Sequence, residues 1–431
     1  MLELSARIRL ASRQSVRNLL SSPRKKLPLQ SIEALPRKFL PSIATLRKRS
    51  SARMGKLLSL PMLDKLKSLP RESMVASFFR GYIRGIQMNW EDYKNSLITK
   101  AEKHKKKPEY ISECLLYAEK LFSQNLPVIF DVKHFAMLVG YKVEYVYRMA
   151  FAQKKFYRHF TIEKRNGTER NIDEPLPDLK IIQRWILDEI LFHIQISKYA
   201  KAFVKGASIK SGARFHRKQA VVLTVDIKDF FPSVHFFTVR DVFLNVGYSR
   251  RLSTFLANIC TLNNSLPQGA PTSPYLSNIV MREIDETLGT LALEKKWRYT
   301  RYADDITFSG NLNVGFLMAY IEKVLRRKGF HLNSDKTRVA RKNARQEVTG
   351  IVVNQHMQIA KQKRKDIRQQ VYYIKKYGVE SHLFATKETR KNYIPHLLGL
   401  IEHAIFINPE DKEMQECKEI IKSLCKSDYT E

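Results

Sequence analysis

The sequence predicts an α+β fold: a short acid-bearing sheet packed among helices, with a basic extension before it and a basic helical region after it. Three stretches predict this. Val-Val-Leu-Thr-Val at 221–225 is a near-continuous apolar run, as in a strand buried on both faces, and it ends on Asp226. Residues 299–302 and 306–308 read as two short strands joined by a tight turn carrying Asp304 and Asp305. Residues 361–431 are basic and mostly helical in pattern.

Neighbours in a strand point to opposite faces, so a turn is needed to aim Asp304 and Asp305 at one place. An acid at the end of a buried strand is costly unless it is paired or binds a metal. Three carboxylates on two neighbouring strands would suit two hard cations with oxygen ligands. Such a pair clamps the attacking and leaving oxygens of an in-line phosphoryl displacement. For Asp304 and Asp305 taken alone, a surface hairpin with a polar tip is the competing reading.

The chain has 431 residues, enough for two or three domains. Lys and Arg number 76 against 42 Asp and Glu, a net charge of +34, while the hydrophobic fraction of 44% is ordinary for a globular protein. The excess charge is therefore on the surface, and nucleic acid is the expected partner. Cys114, Cys260, Cys417 and Cys425 show no CxxC spacing, which argues against a zinc site and a disulfide framework and for a reducing compartment. No run of 18 apolar residues suggests a membrane span.

In chain order, residues 1–70 hold 16 Lys/Arg and 3 Asp/Glu. They read first as a basic arm that pairs with phosphates and second as a transit-peptide-like composition, with short helices expected at 4–20 and 62–69. A boundary falls near Pro108, after the cluster Lys100, Lys103, Lys105, Lys106 and Lys107. Ile111, Leu115, Ala118 and Phe122 recur at helical spacing. Asp131 suits the N-cap of a second helix, and a faint helix-turn-helix pattern at 135–149 is read as packing. Asn166-Gly167 between alternating segments signals a hairpin that carries Lys164 and Arg170. Residues 175–192 read as a buried helix. His216 reads as a structural histidine. The block from Leu266 to Asn278 contains a Pro- and Gly-fixed turn before a helix at 276–284, and Gly269 would let backbone approach a ligand closely. Residues 314–328 are amphipathic, with Gly329 as C-cap. Tyr372 and Tyr373 interleave with cations in 361–376, a pattern suited to backbone contacts and stacking on structured nucleic acid.

Several blocks occur in one order: Asp226 with Phe231, Pro-Gln-Gly-Ala-Pro-Thr-Ser-Pro at 267–274, Tyr-Ala-Asp-Asp at 302–305, and Val-Thr-Gly at 348–350. From about residue 127 to 409 the chain resembles a reverse transcriptase, and within that class the retron-type bacterial group. Gly212 stands where that group's Asn-Ala-x-x-His signature has Asn. The resemblance implies a right-hand polymerase fold: a basic N-terminal extension at 1–107, fingers at 108–220, an antiparallel-sheet palm at 221–355 and an α-helical thumb at 356–431.

It also implies roles. Asp226, Asp304 and Asp305 would bind two Mg²⁺ ions, and Lys336 would be the general acid for pyrophosphate. Lys164 and Arg170 would contact the triphosphate, and Phe231 would be the steric gate against a 2′-hydroxyl. Gln268 and Gly269 would lie beside the incoming nucleotide, and residues 348–354 would form a primer grip. The implied partners are dNTPs, a structured noncoding RNA serving as template and primer, the RNA-linked DNA product, and an effector protein in antiphage defence, all in the bacterial cytoplasm. The rival readings are another defence-associated, diversity-generating or group II intron-like reverse transcriptase, or a non-catalytic RNA-binding protein on a polymerase fold.

Overall fold

The computed structural model describes residues 89–163 and 167–427, with side chains to 424. The helices expected at 4–20 and 62–69, and Lys164, lie outside the described residues.

The first strands are β1 (Tyr157–Glu163) and β2 (Glu169–Pro175), an antiparallel hairpin in which Glu163 faces Glu169. Ahead of it, the pattern at 135–149 is two helices, Val132–Val139 and Val143–Phe151, which bury Phe135, Val146 and Met149 in the larger core. Asp131 caps the first of the two by accepting from the His134 amide at 2.7 Å. Gly140, at φ 77°, ends it in the left-handed conformation that glycine adopts cheaply.

The central sheet consists of β3 (Val221–Lys228), β4 (Arg298–Tyr302), β5 (Asp305–Gly310) and β6 (His331–Arg341). Its order is β4-β5-β3-β6, antiparallel throughout. The strand alternation sends Leu223, Val225 and Ile227 to one face, and Val222, Thr224 and Asp226 to the other. The first three join Tyr299, Ile306 and Phe308 in the larger core, packed against helices Phe236–Val246, Arg250–Cys260, Arg282–Glu294 and Val314–Arg326. Val222, on the second face, joins a separate core. That core is built from helices Lys361–Tyr377, Tyr393–Ile407 and Lys412–Ser427, together with the three-stranded sheet β7 (Glu347–Val348), β8 (Ile351–Val352) and β9 (Gln358–Ile359). Burial on both faces is why the β3 sequence is a nearly unbroken apolar run.

Three expectations are adjusted. The helix expected through residue 192 is Pro177–Glu189 followed by a separate 3-10 turn, Leu191–His193. The helix expected at 276–284 is two helices, Ser273–Val280 and Arg282–Glu294, which change register at Met281 (φ −75°, ψ −7°). The amphipathic helix ends at Arg326, and Gly329 stands in the turn beyond it at φ 79°.

Candidate active site

Strand register brings the acids together. Asp226 on β3 stands directly opposite Asp305 on β5, so the two side chains share a face. Tyr302 pairs with Asp305, which leaves Ala303 and Asp304 as a two-residue turn. Of the pair, only Ala303 has a positive φ, 56°. That is the sign pattern of a II′ hairpin turn, whose first position favours glycine, so an alanine there is strained. The Ile227 amide donates to the Asp304 carbonyl at 3.0 Å and ties the turn to β3.

The acids are crowded and only partly wet. Asp226 is 7% exposed, while Asp304 and Asp305 are half-buried. Burial, followed by the charges of Asp304 and Asp226, pushes the Asp305 carboxyl up to about 6. Burial also raises Asp304; Asp226 adds to the shift, and the cations Lys336 and Arg170 oppose it. Arg170, on β2, is thereby within electrostatic reach of the acids. Ladder pairing on β6 skips from Arg338, opposite Thr224, to Asn333, opposite Asp226. The irregular segment between them carries Lys336. Such irregularities re-aim side chains, and here the Lys336 ammonium donates to Asp226 Oδ1 at 2.9 Å. That bond raises the Lys336 pKa. Among the described residues, no three acidic, imidazole or thiol groups form a ready-made metal cage.

Phe230 is in the core, and Phe231 is half-buried with its ring 5.4 Å from that of Phe230 and 6.4 Å from that of the exposed Phe203. The Gln268 carbonyl accepts from the Asp173 amide of β2 at 2.8 Å. The close approach expected at Gly269 is made to the chain itself. At φ 136°, a Cβ on Gly269 would stand 2.6 Å from the Asp173 carbonyl oxygen, so the residue seats the hairpin rather than leaving space for a ligand. His216 is fully buried, with Nδ1 2.7 Å from Ser309 Oγ and Nε2 2.8 Å from Thr300 Oγ1, which is a structural role. The Gly212 backbone lies in the short helix Ile209–Arg214. In the expected primer-grip hairpin, Thr349 (φ 47°) and Gly350 (φ 82°) form the turn between β7 and β8.

Sequence reasoning missed a buried network beneath the turn. Arg301 and Asp285 are both fully buried and bonded twice, Nε to Oδ1 at 2.8 Å and Nη2 to Oδ2 at 2.7 Å. Arg301 Nη2 also donates to Asn278 Oδ1 at 3.1 Å, and Nη1 donates to the Ala303 carbonyl at 2.9 Å. The Tyr299 hydroxyl donates to Asp285 Oδ1 at 2.7 Å. The available signal was a charged residue at a core-facing strand position, together with an acid on a helix face between Ile284 and Leu288.

The reverse transcriptase (RNA-dependent DNA polymerase) family pattern matches residues 162–371. The Escherichia coli retron Ec86 reverse transcriptase is 32% identical over 260 residues, 59% of this chain and 81% of that protein. The chain belongs to the retron reverse transcriptase family. The Myxococcus xanthus retron Mx65 and Mx162 reverse transcriptases are 34% and 38% identical over 60% and 46% of this chain. The matches span 63% and 47% of those two relatives. A solved Candida albicans telomerase is similar at 11% identity and TM-score 0.37, over 62% of this chain and 63% of that one. The α+β architecture, an antiparallel sheet among helices, is in keeping with membership of this family. No helix among the described residues is long and apolar enough to cross a membrane.

Proposed function

We propose that the chain is an RNA-directed DNA polymerase of retron type, with Asp226, Asp304 and Asp305 as its metal ligands. The observation that carries this is the pairing of Asp226 with Asp305 across the β3–β5 ladder, with Asp304 at the adjoining turn. Burial and the neighbouring carboxylates raise the proton affinity of Asp304 and Asp305, and a lysine ammonium already sits on Asp226. That is how a site for cations behaves when a side chain stands in. Mg²⁺ is commonly held by one or two carboxylates, with water and substrate phosphates completing its shell, so an incomplete protein cage fits it. Two such ions, when bound, supply charge neutralisation at the triphosphate and a more acidic primer hydroxyl.

The primer hydroxyl gives up its proton to solvent as its oxygen forms the new bond to the α-phosphorus, and the bond from that phosphorus to the pyrophosphate oxygen breaks. Lys336, an ammonium beside the acids, is the candidate donor of a proton to the leaving pyrophosphate. Arg170, together with Lys164, would hold the triphosphate, Arg in a bidentate fork and Lys as a point charge. Gln268 lies beside the nucleotide in this reading, and half-buried Phe231 is the gate against a 2′-hydroxyl. Residues 108–220 act as fingers, 221–355 as palm, and 356–431 as a thumb that grips structured RNA with Tyr372, Tyr373 and the cations around them. The template and primer are a structured noncoding RNA in the bacterial cytoplasm, the product is RNA-linked DNA, and the setting is antiphage defence with an effector protein.

The test is twofold. Purified chain should extend a primer on an RNA template with dNTPs and Mg²⁺, and nucleic acid that copurifies from its host should contain DNA joined to RNA. Polymerisation without an RNA–DNA junction would favour another bacterial reverse transcriptase class. RNA binding without any synthesis would leave only a binding protein.

A further inference from the structure

A buried ion pair is a poor source of stability. Desolvation consumes most of the attraction, and apolar residues of similar volume often serve as well. Arg301 and Asp285 are nevertheless both fully buried, and the guanidinium bonds Asn278 and the Ala303 carbonyl as well as Asp285. The reason lies in what the fourth of these bonds reaches. Arg301 Nη1 holds the carbonyl of Ala303, the residue in the left-handed conformation.

Two peptide planes flank Asp304. The plane before it carries the Ala303 carbonyl, fixed at 2.9 Å by Arg301. The plane after it carries the Asp304 carbonyl, fixed at 3.0 Å by the Ile227 amide. With both planes clamped, the Asp304 Cα–Cβ bond has one direction, and its carboxyl lies close enough to Asp226 and Asp305 to interact with both. An unclamped turn would relieve strain at Ala303 and repulsion among three carboxylates by swinging Asp304 outward. The clamp is itself anchored. Asp285 comes from helix Arg282–Glu294, and Asn278, from helix Ser273–Val280, donates to the Ala202 carbonyl at 2.8 Å. The Phe230 ring, 6.0 Å from the guanidinium carbon, covers one side.

We infer that Arg301, oriented by Asp285 and Asn278, is a positioning residue that sets the direction of the Asp304 carboxylate and thereby the cation affinity of the site. This rests on the metal-ligand reading above. Its chemistry is specific to a planar fork: lysine keeps the charge but cannot grip Asp285 with two bonds and the Ala303 carbonyl at once.

The experiment measures Mn²⁺ binding to the purified full-length chain from the free-Mn²⁺ electron paramagnetic resonance signal, beside steady-state primer extension. Three proteins carry it: wild type, Arg301→Lys, and the double variant Arg301→Met/Asp285→Leu, which replaces the pair with apolar groups and keeps the fold accessible if lysine does not. Asp305→Asn is the control. The expected result in a variant that stays folded is at least tenfold weaker Mn²⁺ binding and a kcat lower by a similar factor, with the KM for dNTP and the affinity for RNA unchanged. A folded variant whose Mn²⁺ affinity and kcat stay within twofold of wild type overturns the positioning role while leaving the metal site intact. Wild-type Mn²⁺ binding that does not respond to Asp305→Asn overturns the metal-ligand reading itself, and this inference with it.

Discussion

The two faces of the central sheet treat charge in opposite ways. On the face toward the larger core, Arg301 and Asp285 neutralise each other out of contact with water. On the other face, Asp226, Asp304 and Asp305 share a single nearby lysine bond and stay partly exposed. The strands are the same, and their alternation alone separates the two regimes. Charge satisfied inside the protein serves geometry; charge left in excess at a surface awaits a partner.

The largest effect should come from the excess side. Asp305→Asn keeps the size and removes one anion, so primer extension should fall by roughly 10³-fold or more, about 4 kcal/mol in barrier, while RNA binding persists. Near-normal extension would erase the functional contrast between the faces. On the satisfied side, Asp285→Ala strands a buried guanidinium and should cost about 3–5 kcal/mol in urea unfolding. A loss below roughly 1 kcal/mol would mean that water or another acid reaches Arg301.

Deeper on the acid-bearing face, the polar groups are neutral. His216 bridges Thr300 and Ser309, and burial holds its imidazole down to about 3 from the ordinary 6.5. Between those values the unfolded chain binds more protons than the folded one. Stability is therefore intact above pH 6.5 and declines as pH falls toward 3, by about 1.4 kcal/mol per unit. His216→Gln should flatten that dependence; parallel urea midpoints for mutant and wild type across pH 7 to 5 would show that other groups set it. The smallest expected effect is at Phe231. Phe231→Ala should lower the ratio of dNTP to rNTP efficiency by about tenfold, or about 1.4 kcal/mol. If both efficiencies drop together, the ring is packing, and selection against the 2′-hydroxyl lies elsewhere.

Much of this was legible in the chain. The apolar run before Asp226 is what a strand between two cores must look like, and adjacent Asp304 and Asp305 between β-prone residues require a turn. β6 was opaque because it is an edge strand: His331–Arg341 is largely polar or exposed and shows no clean alternation. The bond between Lys336 and Asp226 depends on a ladder irregularity that no local pattern announces. The Arg301 network was hidden for another reason. A charged residue in a sequence reads as surface, and only its partners, 16 and 23 positions away, make burial affordable. Gly269 was recognised as a place of close approach, but what approaches is a strand almost a hundred residues earlier.

That last contact sets the mechanics of the β1–β2 hairpin. Asp173 is bonded to Gln268 and pressed against Gly269, so the hairpin is tethered to the loop before helix Ser273–Val280 at one fixed point. Arg170 lies three residues beyond that pivot, roughly 10 Å along the strand. A lever arm that short turns a small flex of the hairpin into a sweep of only a few ångströms at the guanidinium. A tether that close limits how far Arg170 can move from the charge of Asp304 without breaking the contact at Asp173.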